Sequence, residues 1–475
     1  MPLKDRRNLS VQRVCQRPDC GVLFHPWRGR ETTQAYCSND CSRAAGVYAR
    51  LGTWPIPTPP IPVTTTVGNQ TARMDNMTAP ALPYDPEREV REWREEGERL
   101  AAVASRLERI GAARRHEGRT VTIGGRGAWV GVEHDALVLA SGRTYGAPGT
   151  REVFHRALHD LAAVVIAEPA VTLTGPALLW CRSEGVALSL LDTDGAVLAA
   201  LVPPPDKLRD DVALRRRQHT LTPSEHAHIA RQILAHKLTA QRATLLAHPE
   251  LPAREVRDRA LEVLETGLHW LALPDPPPWL SDLAVLRTLE ARAAKGYFGA
   301  WAGLPLRFAR ADVKRIPPHW LTVRERSSPL SPTGSGRHAV DPANALLNYA
   351  YGCLEVQARQ ALIVQGFDLG AGFLHANKPG RDSLVFDLME CARGAVDALV
   401  LAVLDRTTFR AASFSRMGDG EVRLHPQLAR VVVAACRLPQ ERIDEHARWL
   451  RSLLLNSTTQ EQLLKPAAVP CSAAL

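Results

Sequence analysis

The stretch from His338 to Arg406 contains two helix-forming segments, HAVDPANALLNYAYGCLEVQARQALIVQG (338–366) and DSLVFDLMECARGAVDALVLAVLDR (382–406). They are joined by the glycine-rich connector FDLGAGFLHANKPGR (367–381). In the first segment, Asp341 is a predicted N-cap, Pro342 suits the first helical position, and Gly366 suits the C-terminus. These residues predict a helix of about seven turns.

Acidic residues interrupt the apolar faces of both segments. Glu355 borders the apolar stripe of the first helix, and Asp387 and Glu390 interrupt a second helix that is apolar almost all round. Their i,i+3 spacing puts Asp387 and Glu390 on one face. His375 lies in the connector, so two carboxylates and an imidazole, from helix, loop and helix, could converge on one cation. The alternative is structural: a core-edge histidine, a narrow solvated acidic stripe and a Glu355 paired with an arginine.

Three strings in this stretch, NALLNYAYGCLE, GFLH and SLVFDLMECAR, resemble the signature blocks of the CRISPR-associated adaptation integrase family, in order as well as in composition. The family is a metal-dependent DNA endonuclease that inserts spacers into CRISPR arrays. The resemblance implies that Glu355, His375 and Glu390 hold a divalent metal and that Asp387 supports the catalytic site. Two oxygen ligands and one imidazole suit Mg²⁺ or Mn²⁺ better than Zn²⁺. Cys391-Ala392 departs from the family pattern but leaves these ligands intact.

The composition allows two or three domains in 475 residues, and the net charge of +9 favours a polyanionic partner. No apolar run is long enough to span a bilayer, so we expect a cytoplasmic protein without membrane contact. Nine cysteines in so long a chain argue against a disulfide scaffold.

Four of the cysteines cluster near the N-terminus. Cys15, Cys20, Cys37 and Cys41 form two close pairs, which predicts a tetrahedral Zn²⁺ site in a zinc-ribbon or treble-clef-like module over residues 1–50. The alternative is four unrelated reduced cysteines. The module is basic, so contact with nucleic acid and docking to protein are both open.

The predicted fold class is α+β: the zinc module, then a small mostly β domain, then a larger all-helical catalytic domain. Between the module and the β domain we expect a Pro/Thr-rich linker at 51–85 and a charged connector helix at 86–117, packing on the body or on a second copy. Short Val-, Leu- and Ile-rich runs place the β domain at 118–205, with a hairpin at Asp192 to Gly195 and a helix near GPALLWCRS. It resembles the family's dimerisation domain.

The helical domain is predicted at 206–456, followed by a loose tail at 457–475. Thr222-Pro223-Ser224-Glu225 is a capping box that starts one helix. Arg217 and Lys237 belong to a row of cations suited to DNA phosphates, although a solvated basic face is equally consistent. Lys378 and Arg381, next to His375, are further candidates for DNA contacts.

The resemblance therefore implies an integrase that joins the 3′-hydroxyl ends of short duplexes into a CRISPR array by transesterification. From the resemblance we expect double-stranded DNA (prespacer and repeat target), a homodimer, and a small second CRISPR adaptation protein as partners. The alternatives are a transposon-type or stand-alone DNA integrase, and a non-catalytic zinc-finger DNA-binding protein.

Overall fold

This computed structural model describes residues 13–14, 23–24, 86–115, 118–125, 127–142, 149–156, 158–167, 170–202, 212–324, 326, 338–375, 377, 381–418 and 420–455. The chain divides into two compact units, one of residues 1–77 with 275–291 and the other of residues 78–274 with 292–475. All candidate catalytic residues belong to the second unit.

In the N-terminal region, two short strands pair antiparallel, β1 (Arg13–Val14) and β2 (Leu23–Phe24). The four cysteines of the predicted zinc module, the linker at 51–85, Lys378 and the tail at 457–475 lie outside the described residues. The zinc module therefore remains a prediction.

The predicted connector helix is confirmed as α1 (Pro86–Arg115), and it packs on the body of the second unit. Its partner is α9 (Pro426–Cys436), where the Trp93 ring lies 4.2 Å from the ring of His425, centroid to centroid. Glu96, fully buried, accepts a hydrogen bond of 2.5 Å from the Ser413 hydroxyl.

Two four-stranded sheets follow α1. The first has the order β10-β9-β7-β3, where β3 (Arg119–Ile123), β7 (Leu161–Ile166) and β9 (Ala187–Leu191) run parallel and β10 (Val197–Leu201) is antiparallel. The second has the order β6-β5-β4-β8, from β4 (Ala128–Glu133), β5 (Ala136–Ala140), β6 (Arg151–Phe154) and β8 (Val171–Leu173).

One core joins these two sheets, because Val130 and Leu137 of the second sheet and Val164 and Ile166 of the first pack with Trp180. Trp180 lies on α2 (Gly175–Ser183), the helix predicted near GPALLWCRS. The hairpin predicted at Asp192 to Gly195 is also confirmed, since it joins β9 to the antiparallel β10.

Most of the remaining chain is helical. The helices are α3 (Val212–His219), α4 (Pro223–Ala247), α5 (Arg254–Leu271), α6 (Leu283–Gly299), α7 (Pro342–Gln365), α8 (Ser383–Arg406), α9 and α10 (Gln440–Leu455). The prediction of an all-helical domain is wrong in one respect, because β11 (Phe414–Arg416) and β12 (Val422–Leu424) form a hairpin. Phe414, Val422 and Leu424 are buried, because alternate side chains of a strand point to the same face and here that face packs into the core.

The two helices of the stretch 338–406 begin and end near the predicted residues. Asp341 caps α7 by accepting a hydrogen bond from the Asn344 N–H, Pro342 occupies the first turn, and Gly366 adopts the left-handed conformation at the C-terminus. The capping box of Thr222 and Glu225 starts α4. Helices α4 and α7 both pack on α8, so the central helix is covered by its two main partners.

Candidate active site

Asp387 organises the connector that carries His375. One carboxylate oxygen accepts hydrogen bonds from the backbone N–H groups of Phe373 and Leu374, at 2.5 and 3.0 Å. The other accepts from the His375 N–H at 2.9 Å and lies 2.6 Å from His375 Nδ1. A proton on Nδ1 would satisfy this short contact and leave Nε2 as the free lone pair of the imidazole. Asp387 therefore fixes both the path of the loop and the orientation of the ring.

The Nε2 atom of His375 lies 3.9 Å from Oε1 of Glu390, one turn along α8 from Asp387. Glu390 is fully buried, and its oxygens lie 2.8 Å from Lys237 Nζ and 2.7 Å from Arg393 Nη1. Burial raises the pKa of Glu390, but the positive charges of Arg393, Lys237 and His375 outweigh it and lower the pKa to about 2. Glu390 is therefore a carboxylate at neutral pH.

Glu355, on α7, is also buried, and one of its oxygens lies 3.5 Å from Nη2 of Arg359. Arg359 is paired in turn with Asp382 at the start of α8. Glu355, His375 and Glu390 do not form a set whose ligand atoms all lie within 4.8 Å of one another. The structure thus brings His375 and Glu390 together and holds both glutamates against cations.

A cleft beside these residues is lined by Glu355 and Arg393 and by the side chain of Tyr351. The guanidinium carbons of Arg326 and Arg393 lie 4.8 and 5.1 Å from the centroid of the Tyr351 ring. Nη2 of Arg326 donates to the Asn348 side chain at 3.2 Å, whereas the buried Nη1 has no hydrogen-bond partner among the described residues. The cleft therefore presents two guanidinium groups, which are donors suited to phosphate oxygens.

Beneath the cleft, Asp397 accepts hydrogen bonds from the hydroxyls of Tyr351 and Tyr297, at 2.5 and 3.0 Å. Its burial raises the pKa of Asp397 to about 6, although the two hydroxyls and the nearby arginines oppose the rise. This network holds the Tyr351 ring from below.

The cations predicted to contact DNA have different surroundings. Lys237 is 4% exposed and belongs to the Glu390 ion pair, and Arg217 is paired with Glu225 and reaches the carbonyl of Leu454. They do not form an exposed row, because α4 turns Lys237 toward α8. Arg381 is half-buried at the start of the site, with its guanidinium 4.7 Å from the centroid of the Phe386 ring.

Three features of the site were not predicted from the sequence: the role of Arg393, the stacking of Arg326 on Tyr351, and the Asp397 network. The i,i+3 spacing of Glu390 and Arg393 was a usable signal for the first. Arg326 and Tyr297 are distant from Tyr351 in sequence, so only folding brings them to the same ring.

Comparison with known proteins places this geometry in a family. The family model for "CRISPR associated protein Cas1" matches residues 121–437. The chain belongs to the Cas1 family. This confirms the predicted family and the predicted enzyme class, an endonuclease.

One relative is the "CRISPR-associated endonuclease Cas1 2" of Rhodospirillum rubrum, which is 31% identical over 301 residues, covering 60% of this chain and 78% of the relative. Two solved structures share the fold. A "Casposase bound to integration product" has a TM-score of 0.56 at 20% identity and covers 74% of this chain and 94% of the casposase. A "Cas6-RT-Cas1--Cas2 complex" has a TM-score of 0.53 at 19% identity, over 74% of this chain and 36% of that one.

In the described part of this Cas1-family chain, no helix is both long and apolar enough to cross a membrane.

Proposed function

We propose that this protein is a metal-dependent DNA integrase that joins the 3′-hydroxyl ends of short duplexes into a CRISPR repeat array by transesterification. The observation that carries the proposal is the Asp387-bound His375, whose Nε2 points at the buried carboxylate of Glu390. A carboxylate behind an imidazole is the arrangement that orients metal-bound histidines in other proteins. The family membership of the chain supports the same reaction class.

The donor types of Glu355, His375 and Glu390 fit a hard divalent ion, whereas their ligand atoms are not all within 4.8 Å of one another in this structure. Glu390 is buried and ionised, and its two oxygens lie against Lys237 and Arg393, so a bound ion would share this carboxylate with those cations. Glu355, His375 and Glu390 would hold Mg²⁺ or Mn²⁺, since two oxygen donors and one imidazole suit these ions better than Zn²⁺. The bound ion would polarise the phosphate and help generate the attacking alkoxide.

The protein's own groups contribute the rest of the reaction. Lys237 and Arg393 keep Glu390 ionised before an ion arrives, so no proton has to be displaced from it. Arg326 and Arg393 would bind phosphate oxygens in the cleft and stabilise the negative charge of the five-coordinate transition state. Asp387 keeps the His375 ring in place throughout.

DNA and protein partners follow from the same proposal. Arg381, together with Lys378 outside the described residues, would contact flanking phosphates. A homodimer follows from the family resemblance, and the exposed Leu158 and Leu179 of the β domain, 87% and 69% exposed, are candidate contacts for it. A small second adaptation protein is supported by the fold shared with the "Cas6-RT-Cas1--Cas2 complex". A cytoplasmic location is part of the proposal, since the DNA substrate would be found there.

The test is strand transfer of a labelled duplex into a repeat-containing plasmid, with Mn²⁺ or with EDTA. Glu355→Ala, His375→Ala and Glu390→Ala should each lower joining by at least about 100-fold, because each removes a metal ligand, while DNA binding survives. Asp405→Ala, an exposed residue at the end of α8, is the matched control. Full joining by the three variants, or equal joining in EDTA, would refute the proposed chemistry and leave a DNA-binding protein.

A plasmid without the repeat separates two kinds of integrase. A CRISPR adaptation enzyme should favour the repeat target, whereas a transposon-type or stand-alone integrase should join duplexes to both plasmids equally.

A further inference from the structure

A second group of potential metal ligands lies outside the set proposed for catalysis. His236, Cys391 and His446 each offer one ligand atom, and these three atoms lie within 4.8 Å of one another. Among the His, Cys, Asp and Glu residues in the described part of the chain, this is the group of three that meets this limit. The residues come from three helices, α4, α8 and α10. They are distant in sequence, so only the packing of these helices assembles the group.

The two imidazoles of the group are available as ligands, whereas burial and the nearby Glu390 and Asp387 raise the pKa of the Cys391 thiol, which only a bound cation would offset. The ring of His236 lies 5.8 Å from that of His446, centroid to centroid, at an interplanar angle of 88°, and Trp449 covers His236 at 4.4 Å. Burial lowers the pKa of His236, and it lowers the pKa of His446 to about 4, so both imidazoles are neutral with a free lone pair at physiological pH. Cys391 is buried and forms no disulfide.

We propose that His236, Cys391 and His446 bind a zinc ion. Two imidazoles and one thiolate are donors that Zn²⁺ prefers over Mg²⁺ or Mn²⁺, and with three protein ligands a water would complete the tetrahedron. On binding, the thiol of Cys391 loses its proton to solvent and the thiolate coordinates the ion. No redox step is involved.

The site connects the C-terminal helix to the candidate active site. Cys391 follows Glu390 on α8, and His236 precedes Lys237 on α4, so the zinc ligands adjoin both members of the buried ion pair. His446 adds α10. A zinc ion here would fasten three helices at the place where Lys237 and Glu390 must stay aligned, which is a structural role distinct from that of the catalytic metal.

The experiment is zinc content per chain, measured by elemental analysis of the full-length protein after dialysis against a weak chelator. The N-terminal cysteines are also expected to bind zinc, so the measurement uses a background with Cys37→Ser and Cys41→Ser. This background should retain about one zinc per chain. Cys391→Ser and His446→Ala should each lose it, whereas Cys436→Ser, the matched change at another buried cysteine, should keep it.

Thermal unfolding supplies a second readout that does not depend on activity. Added zinc should raise the Tm of the background protein by roughly 5 °C and leave His446→Ala unchanged, because a ligand that binds only the native state stabilises it. His446 is partly exposed, so this variant remains informative if Cys391→Ser fails to fold.

Three results would overturn the proposal. The first is a background protein that contains no zinc. The second is a zinc content in His446→Ala equal to that of the background. The third is zinc that is lost in Glu355→Ala but kept in His446→Ala. The last result would place the ion in the catalytic site. Each leaves the proposed integrase intact, since strand transfer is assayed separately with Mn²⁺.

Discussion

At the scale of single residues, Asp387 connects α8 to the loop that carries His375. Its two oxygens accept three backbone N–H groups and contact the His375 ring. A carboxylate can accept on both oxygens, whereas an amide replaces one acceptor by an NH₂ donor. The Asp387 side chain is therefore a positioning group for His375. Replacing its carboxylate by an amide would place an NH₂ donor opposite an N–H donor.

Asp387→Asn should lower the free energy of unfolding by about 2–3 kcal/mol, because it turns a donor toward buried N–H groups. It should also raise the Mn²⁺ concentration needed for strand transfer by at least about 10-fold, since His375 loses its orientation. Urea unfolding and a Mn²⁺ titration of joining measure the two effects. Asp405→Asn, exposed on the same helix, should change neither, and an unaltered Mn²⁺ dependence in Asp387→Asn would show that the His375 contact is merely structural.

At the scale of elements, the contact between the β9–β10 hairpin and α7 positions Glu355. A Cβ atom built on Gly352 would lie 1.9 Å from the carbonyl oxygen of Gly195, at the tip of the hairpin. Gly195 itself has a φ of 85°, with Tyr349 Cα only 2.6 Å from where its own Cβ would be. These two glycines thus allow the backbone of the hairpin to approach the backbone of α7 closely. The approach lies three residues before Glu355.

Gly352→Ala should push the hairpin away from α7. The added Cβ would collide with the Gly195 carbonyl oxygen, and neither atom can move by a change of side-chain rotamer. We expect a loss of about 2–4 kcal/mol in stability and a fall in joining activity. Gly175→Ala is the control, since its added Cβ meets no atom within 4 Å. Differential scanning calorimetry compares the two, and a Tm for Gly352→Ala equal to that of the control would contradict the close approach.

At the scale of the whole molecule, α1, which precedes the β sheets, is held against the helical part by buried ion pairs and hydrogen bonds. Glu96 is fully buried and is bonded to Arg99 and Ser413, with Arg410 3.6 Å away, and Glu108 pairs with Arg430. A buried carboxylate with several partners costs more to disrupt than an exposed one.

Glu96→Ala should therefore lower the free energy of unfolding by about 3 kcal/mol and increase hydrogen exchange along α1, because it leaves Ser413 and two arginines without their carboxylate. Glu98→Ala, an exposed change two residues away, should have an effect within about 0.5 kcal/mol. Hydrogen exchange with mass spectrometry of α1 peptides is the measurement. Protection of α1 that is the same in both variants would mean that its docking does not depend on the Glu96 contacts.

Much of the architecture could be predicted from local sequence signals. The N-cap Asp341, the terminal Gly366, the capping box at Thr222 and the turn at Asp192 to Gly195 act within a few residues of themselves. The β11–β12 hairpin was missed because its strands are only three residues long and resemble an irregular loop. Local patterns of that length do not distinguish the two.

The sequence by itself determined the helices of the stretch 338–406, the family and the residue types available for a metal, because these depend on order and spacing along the chain. Only the tertiary structure decided what each charge contacts. It placed Lys237 against Glu390 rather than on an exposed basic face, stacked Arg326 on Tyr351, and assembled His236, Cys391 and His446 from three helices. The physical reason is that ion pairs and ligand sets depend on distances in space, and helix packing sets those distances between residues far apart in sequence.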